Sequence, residues 1–281
     1  MTYFPKLATA TAFAALTASA AAADVSLWRL DCGDVQVNYL NLFSDTNAYS
    51  GEKKSLVGSC YLIQHDDQYF LWDAGLPAGL LGAEQDPKAP IAPTLKTDIP
   101  SQLEQLDLSP ADIDMIGISH YHFDHTGQAP DFPDAKLLIG AQDFETLEMQ
   151  PLPAYAQGFA DPKPLEHWLS GAGETQQITS DTDIFGDGSV MMLAMPGHTP
   201  GETALMVQLA DTGPVLLSGD VVHFAEQLDI DGVPTFNYDR SETLASIDRL
   251  KKLVENTGAT LIIQHDPRDV GKLPTFPEAA K

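Results

Sequence analysis

The alternation of apolar and polar positions along the chain predicts β-strands interleaved with helices. Two apolar runs, residues 56–64 and 68–72, are separated by the polar triplet His65-Asp66-Asp67, which predicts a β-hairpin. Short apolar runs predict further strands. These runs cover residues 115–119, 135–139, 190–194, 215–217 and 260–263.

Helical spacing appears in three other stretches. Helices are predicted at residues 97–106, with Pro100 in the first turn, and around residues 143–149. Residues 151–164 are rich in proline and aromatic residues and are predicted to form a loop. The clearest helix is predicted at residues 242–255. Its apolar positions recur every three residues, namely Leu244, Ile247, Leu250 and Leu253.

Four of the predicted strands run directly into residues of the types that bind metal ions. Strand ends that point the same way bring their following loops together at one rim of a sheet. We therefore expect the four clusters to converge on one site. The strand at 115–119 precedes His120, His122, Asp124 and His125, and the strands at 190–194, 215–217 and 260–263 precede His198, Asp220 and His265.

The residue types in these clusters predict two neighbouring metal ions. Histidine and aspartate are the usual ligands of zinc-like ions in sites without sulfur. An aspartate carboxylate can bridge two ions that lie about 3.5–4 Å apart. A storage or regulatory metal site is the non-catalytic alternative, although it would not need a bridging carboxylate. We assign His120, His122 and His198 to one ion and Asp124, His125 and His265 to the other, with Asp220 as the bridge.

The first 23 residues have the composition of a secretion signal. Lys6 precedes an uncharged, alanine-rich run at residues 7–23, and Asp24 opens a polar sequence. The run is weakly hydrophobic and shorter than the roughly 20 residues that a membrane span needs. We therefore expect a cleaved signal peptide at residues 1–23 rather than an anchor. Residues 24–281 are then expected to form a single catalytic domain in the periplasm or outside the cell.

Net charge and cysteine content limit the partners and the covalent structure. The formal net charge is −25, and loss of Lys6 with the signal peptide makes it −26 (−25 − 1). Such a charge repels nucleic acid and anionic membranes, so neither is an expected partner. Cys32 and Cys60 could form a disulfide in an oxidising compartment. They could equally be small buried apolar residues, which is the interpretation we favour.

The metal-binding motifs resemble those of a known superfamily. The run S-H-Y-H-F-D-H-T-G at residues 119–127 is similar to the H-x-H-x-D-H signature of the metallo-β-lactamase superfamily. Residues 71–75 (LWDAG), 196–201 (PGHTPG), 218–220 (SGD) and 262–266 (IIQHD) resemble its other motifs in the same order. The resemblance implies an αββα sandwich with the metal ions at the rim between the sheets. It also implies that Asp73 lies behind the ligands and orients them.

Within this superfamily, the resemblance is to the N-acyl homoserine lactonases, which are quorum-quenching enzymes. The β-lactamases carry Cys or Ser at the bridging position, whereas this chain has Asp220. Phe123 and residues 108–114 and 236–250 resemble the lactonases. One residue departs from their pattern, because His223 replaces a tyrosine that helps to hold the substrate. The alternative is a related two-metal hydrolase that acts on phosphotriesters, aryl esters or other lactones.

The resemblance implies a mechanism in which a hydroxide between the two ions opens the lactone ring. Two divalent ions, zinc by default, would lower the pKa of bound water to about 7. Asp124 is expected to carry a proton to the leaving oxygen, and His223 to bind the substrate carbonyl or amide oxygen. An acyl chain needs an apolar groove, for which Phe43 and Phe123 are the candidate contacts, within or beside the loops at 39–49 and 149–159. The expected partner is a small acylated lactone or ester, and the sequence does not set the oligomeric state.

Overall fold

The computed structural model describes residues 24–281. The predicted signal peptide, residues 1–23, lies outside the described residues. Within the described part, no helix combines the length and the apolar character that crossing a membrane requires.

The first half of the described chain forms a mixed seven-stranded sheet. Its strands, in chain order, are β1 (Val25–Val37), β2 (Lys54–His65), β3 (Gln68–Trp72), β4 (Ile91–Thr94), β5 (Met115–Ile118), β6 (Lys136–Gly140) and β7 (Thr175–Ile178). Their order across the sheet is β4-β1-β2-β3-β5-β6-β7. The predicted hairpin is confirmed, because β2 and β3 pair antiparallel. From β3 to β7 the neighbouring strands are parallel.

The second half forms a five-stranded sheet. Its strands are β8 (Thr182–Asp183), β9 (Val190–Ala194), β10 (Thr203–Leu209), β11 (Gly213–Leu217) and β12 (Thr260–Ile262). They lie in the order β12-β11-β10-β9-β8. Strand β10 is antiparallel to β9 and to β11, and β11 is parallel to β12. Strands β9, β11 and β12 therefore run in the same direction.

Within residues 24–281, the structure has a helix at each of the three predicted positions and three short helices that were not predicted. They are α1 (Ile99–Leu103), α2 (Phe123–Thr126), α3 (Ala141–Glu148), α4 (Glu166–Leu169), α5 (Ala225–Ile230) and α6 (Arg240–Thr257). Helix α6 begins where the Asp239 side chain accepts a hydrogen bond from the backbone N–H of Glu242, and it ends at Gly258 with a φ of 68°. The helix predicted at 97–106 is shorter than expected, because α1 passes into a 3₁₀ turn at Glu104–Leu106.

Three apolar layers hold two sheets and two sets of helices together. The inner layer lies between the sheets and includes Phe70 and Trp72 from the first and Leu205 and Leu217 from the second. On the outer face of the first sheet, residues of α1, α3 and α4 pack against β3, β5 and β6. Helix α6 packs on the outer face of the second sheet through Ile247 and Leu250. The predicted αββα sandwich is confirmed.

A disulfide joins Cys32 of β1 to Cys60 of β2, with a Cα–Cα distance of 5.8 Å. The favoured interpretation of two free thiols was therefore wrong, although both residues are buried as expected. Strands β1 and β2 pair antiparallel, and a bulge interrupts their register between Asp31 and Gly33. The sequence did not reveal this pairing, because β1 was not predicted as one of the strands.

Candidate metal centre

The seven predicted ligands come together in two groups. Within each group, one candidate ligand atom from every residue lies within 4.8 Å of the others. Strand β5 belongs to the first sheet, whereas β9, β11 and β12 belong to the second. The clusters therefore meet between two sheets and not at the rim of one sheet. The first group is His120, His122, His198 and Asp220, and the second is Asp124, His125 and His265.

Asp220 lies between the two groups and directs one carboxylate oxygen to each. Its Oδ2 lies 3.7 Å from Nε2 of His120 and 3.5 Å from Nε2 of His198. Its Oδ1 lies 3.5 Å from Nε2 of His125 and 3.0 Å from Nε2 of His265. This is the arrangement that a carboxylate bridging two ions requires.

The donor atoms fit divalent metal ions better than they fit each other. Ring nitrogens face one another at 3.1 Å between His122 Nδ1 and His198 Nε2, and at 3.2 Å between His125 Nε2 and His265 Nε2. Among residues 24–281, Nε2 of His120 and Oδ1 of Asp220 are buried without a hydrogen-bond partner. Converging lone pairs and unpartnered buried polar atoms are explained by a cation between them.

Burial and the neighbouring charges set the protonation of the histidines. Burial, reinforced by the other imidazoles, holds the pKa of His120 and His122 well below the usual value, and burial lowers the pKa of His198 to about 3. These rings are therefore neutral, as metal ligands must be. Burial also lowers the pKa of His125 and His265, but Asp220 and the other nearby carboxylates outweigh it and raise both values. Metal binding at the second group therefore displaces protons.

Asp73 lies where the resemblance placed it, behind the second group. Its Oδ2 is 2.9 Å from Nδ1 of His125, so Nε2 of that ring faces the metal position. The backbone N–H of Ser119 donates to Oδ1 of Asp73, and the Gln264 amide donates to Oδ2. Asp73 has a φ of 62°, a left-handed conformation that aspartate tolerates better than most residues. The loop after β3 thus fixes one histidine ligand from behind.

Other ligand histidines also have an acceptor on the side away from the metal position, and sequence reasoning missed all of these acceptors. Nδ1 of His198 lies 2.9 Å from Oδ1 of Asn237, and Nδ1 of His265 lies 2.7 Å from the carbonyl oxygen of Val57. Nδ1 of His120 lies 3.1 Å from the Ser119 hydroxyl and 3.2 Å from Oε2 of Glu202. The only sequence signal for Glu202 is an acidic residue at the start of an otherwise apolar strand.

A pocket opens over the two groups, with aromatic and aliphatic side chains as its walls. Both predicted contacts, Phe43 and Phe123, line it, and so do Asp124 and His223. In the loop at 149–159, Phe159 lines the pocket, whereas Leu152 and Tyr155 do not. In the loop at 39–49, Leu40 and Leu42 do not line it. The residues that sequence reasoning missed are Val35, Leu56, Ile91 and Phe236.

His223 stands at the wall of this pocket, next to the bridging carboxylate. Its Nε2 lies 3.1 Å from Oδ2 of Asp220, and its ring meets Phe43 edge-on at 4.9 Å. Oε1 of Gln227 accepts the backbone N–H of His223 and lies 3.2 Å from its Nδ1, while Nε2 of Gln227 donates to the carbonyl of Phe43. Nδ1 of His223 therefore faces Gln227, and Nε2 faces Asp220 and the pocket.

The αββα fold, with two groups of metal-ligating residues between its sheets, is that of a metal-dependent hydrolase. The family model of the metallo-β-lactamase superfamily matches residues 55–265. The chain belongs to this superfamily. This confirms the resemblance seen in the sequence motifs, and the chain is an enzyme of the hydrolase class that the motifs predicted.

Individual relatives share this fold over most of the chain. The N-acyl homoserine lactonase AttM of Azorhizobium caulinodans is 27% identical over 87% of this chain and 94% of its own. A structure of an N-acyl homoserine lactone hydrolase, with the product N-hexanoyl-L-homoserine bound at its catalytic metal centre, aligns with a TM-score of 0.76 at 24% identity. It covers 90% of this chain and 98% of that chain. The dizinc quorum-quenching lactonase AidC aligns with a TM-score of 0.66 at 16% identity, covering 92% and 91%.

Proposed function

We propose that this protein opens the lactone ring of N-acyl homoserine lactones and so acts in quorum quenching. The observation that carries the proposal is the position of Asp220, which directs one oxygen to each donor group at the base of an apolar pocket. An amphiphilic substrate with a polar ring and an apolar chain fits such a site. The names of the A. caulinodans relative and of the product-bound structure support this substrate class.

Two divalent ions, with zinc favoured by the nitrogen and oxygen donors, would be held by the two groups and would supply Lewis acidity and a hydroxide nucleophile at neutral pH. His223 is positioned to bind the ring carbonyl oxygen, because its Nε2 faces the pocket beside Asp220. Asp124 lines the pocket and has 16% of its side chain exposed, so it can carry a proton to the leaving oxygen. The phenylalanines of the wall exclude water and hold the acyl chain.

A substrate panel on metal-depleted and metal-restored protein tests the proposal. The panel contains acyl homoserine lactones of graded chain length, a phosphotriester and an aryl ester, and proton release is followed. We expect lactone turnover to disappear with a chelator and to return with zinc. Turnover that survives complete demetallation would contradict the metal mechanism. Turnover of the phosphotriester or aryl ester without the lactones would identify the related two-metal hydrolase instead.

We also propose that residues 1–23 direct export and are removed, so that the enzyme works in the periplasm or outside the cell. The Cys32–Cys60 disulfide supports this proposal, since disulfides persist in oxidising compartments and are rare in reducing ones. Mass spectrometry of the protein recovered from an exporting bacterial host tests it. We expect a mature chain that begins at Asp24, and an intact leader on the recovered protein would contradict the proposal.

A further inference from the structure

Glu202 is a completely buried carboxylate at the start of β10, and it contacts the first donor group from behind. Its side chain is 0% exposed. Oε1 accepts a hydrogen bond of 2.8 Å from the backbone N–H of Asp220, the bridging residue. Oε2 lies 3.2 Å from Nδ1 of His120 outside hydrogen-bond geometry, and the Ser119 hydroxyl lies 3.1 Å from the same nitrogen. One side chain therefore touches both a histidine of the first group and the backbone of the bridge.

The chain makes room for this carboxylate. A Cβ atom at position 219 would lie 2.3 Å from Oε1 of Glu202, so only glycine fits between Glu202 and Asp220. Gly219 also has a φ of 54°, which glycine adopts without strain. Within residues 24–281, no Lys or Arg forms an ion pair with Glu202 or Asp220. A buried carboxylate is costly without a compensating positive charge. Cations bound at the two donor groups would supply such a charge.

The second group also has a buried carboxylate behind one histidine, and there it is hydrogen-bonded to the ring. Asp73 lies 2.9 Å from Nδ1 of His125, and Glu202 lies 3.2 Å from Nδ1 of His120. By contrast, His198 and His265 direct their Nδ1 atoms to neutral oxygens, those of Asn237 and of the Val57 backbone. Each metal position is therefore served by one histidine with a carboxylate behind it.

We infer that Glu202 is a positioning residue that orients His120 and Asp220 and strengthens binding of the ion at the first group, as Asp73 does for the second. A carboxylate behind the ring fixes the proton on Nδ1, directs the lone pair of Nε2 to the metal and makes the imidazole a stronger donor. This inference rests on the metal centre of the proposed function and is independent of the substrate.

The substitution Glu202→Gln tests the inference with almost no change of volume. A glutamine that keeps its oxygen toward Asp220 places an amide N–H₂ against Nδ1 of His120. Nδ1 of His120 can accept this hydrogen bond only if the ring proton is on Nε2. A proton on Nε2 would block binding of the metal ion. Asp73→Asn is the matched variant for the second group.

The control variant must change a buried polar side chain that does not touch the metal centre. Gln264→Glu is unsuitable as a control because Gln264 contacts Asp73. Asp269→Asn is suitable, since Asp269 is buried and accepts from the backbone of Ile263.

The readout is zinc affinity, measured by titrating each metal-free protein in competition with a chromophoric chelator. Wild type and Asp269→Asn should take up two ions. Glu202→Gln should weaken one binding step roughly 10- to 100-fold, and Asp73→Asn should weaken the other by a similar factor. The double variant should then weaken both steps. Far-ultraviolet circular dichroism of the metal-free proteins verifies that each variant is folded.

Three outcomes are distinguishable. If Glu202→Gln lowers the stability of the metal-free protein but leaves both zinc affinities unchanged, Glu202 is merely structural and the inference is wrong. If Glu202→Gln and Asp73→Asn weaken the same step and the double variant adds nothing, the assignment of one carboxylate to each ion is wrong. If wild type itself binds no zinc, the metal mechanism of the proposed function fails, whatever Glu202 does.

Discussion

The rings of Phe159 and Phe236 stack with a centroid separation of 4.7 Å and an interplanar angle of 27°. The Phe236 ring also lies 5.8 Å from the ring of His198 and 5.3 Å from that of Phe43, which it meets edge-on. Two loops that are distant in sequence thus form one aromatic wall over the first donor group. This wall is the surface on which an acyl chain would lie.

Replacing Phe236 by alanine should weaken substrate binding and spare the metals. Phe236 is partly buried, so its removal should forfeit about 1.5 kcal/mol of apolar contact with the acyl chain, which corresponds to a loss of roughly 10-fold in kcat/KM for long-chain acyl lactones. The loss should shrink as the acyl chain is shortened. Steady-state kinetics on a graded series, with zinc content determined in parallel, measures both effects.

Phe185→Ala is the matched control, since Phe185 stacks on His65 at 4.0 Å and does not line the pocket. It should leave the chain-length profile unchanged. An equal loss for short and long acyl chains in Phe236→Ala would show that the wall supports the site in general and does not hold the chain.

His223 should matter for the reaction more than for metal binding. His223→Phe removes the Nε2 atom that faces the pocket but keeps a planar ring beside Phe43. Loss of one hydrogen bond costs about 0.5–1.5 kcal/mol, so kcat/KM should fall roughly 2- to 10-fold. His223→Tyr supplies a hydroxyl donor and should recover much of this loss. Loss of an ion from His223→Phe, detected as zinc content, would instead indicate a role in metal binding.

The Cys32–Cys60 disulfide should contribute strongly to stability. It spans 28 positions of sequence, and closing a loop of that length restricts the unfolded chain by roughly 3–4 kcal/mol in the chain-entropy model. Urea unfolding should therefore show a loss of about this size for the double variant Cys32→Ala and Cys60→Ala. Dithiothreitol should destabilise the wild type and have no effect on the double variant. Equal stability of the oxidised wild type and the double variant would contradict the prediction.

Asp143 should give the protein a pH-dependent stability. Its Oδ2 accepts from the Thr199 hydroxyl and from the Tyr121 N–H, and its Oδ1 accepts from the Gly201 N–H. Burial raises its pKa to about 7 despite these hydrogen bonds. The folded-state pKa exceeds the unfolded value of 3.8, so protonation of Asp143 stabilises the folded state. This contribution to the free energy of unfolding is complete below pH 3.8. It decreases as the pH rises through about 7, by up to roughly 4 kcal/mol.

The test compares wild type with Asp143→Asn, which cannot ionise. The free energy of unfolding is measured with urea at about pH 5, 6.5 and 8. The stability of the wild type relative to the variant should decrease from the lowest pH to the highest. A difference that stays constant over this range would mean that Asp143 does not titrate there.

The candidate metal ligands were the most predictable residues of this protein, because they follow short apolar strands. The runs before His120, His198, Asp220 and His265 were visible as strands, and all of them are strands in the structure. Strand β1 escaped prediction because Arg29 and other polar residues interrupt its apolar pattern, and a bulge at Asp31 to Gly33 breaks its alternation. The disulfide depends on how that strand pairs with β2 in the first sheet.

The partners behind the ligands could not be predicted in the same way. Glu202, Asn237 and the Val57 carbonyl reach their histidines only after distant segments have packed together. A lone acidic or amide residue in a sequence has no spacing that identifies its contact. The residues of the pocket wall were only partly predictable for the same reason. Phe43 was predicted from its apolar character within its loop, whereas Phe236 lies at the site because it stacks on Phe159 of a distant loop.

The division of the ligands between two sheets has a consequence for folding. The first group takes His120 and His122 from the loop after β5 of the first sheet and His198 from the loop after β9 of the second. The second group likewise joins His125 to His265, which follows β12. Each ion would therefore cross-link the two sheets. Neither sheet alone holds all the ligands of either ion. Free zinc at 100 times its dissociation constant then adds about 2.7 kcal/mol to the stability of the closed sandwich, so metal supply would govern how much of the protein is folded.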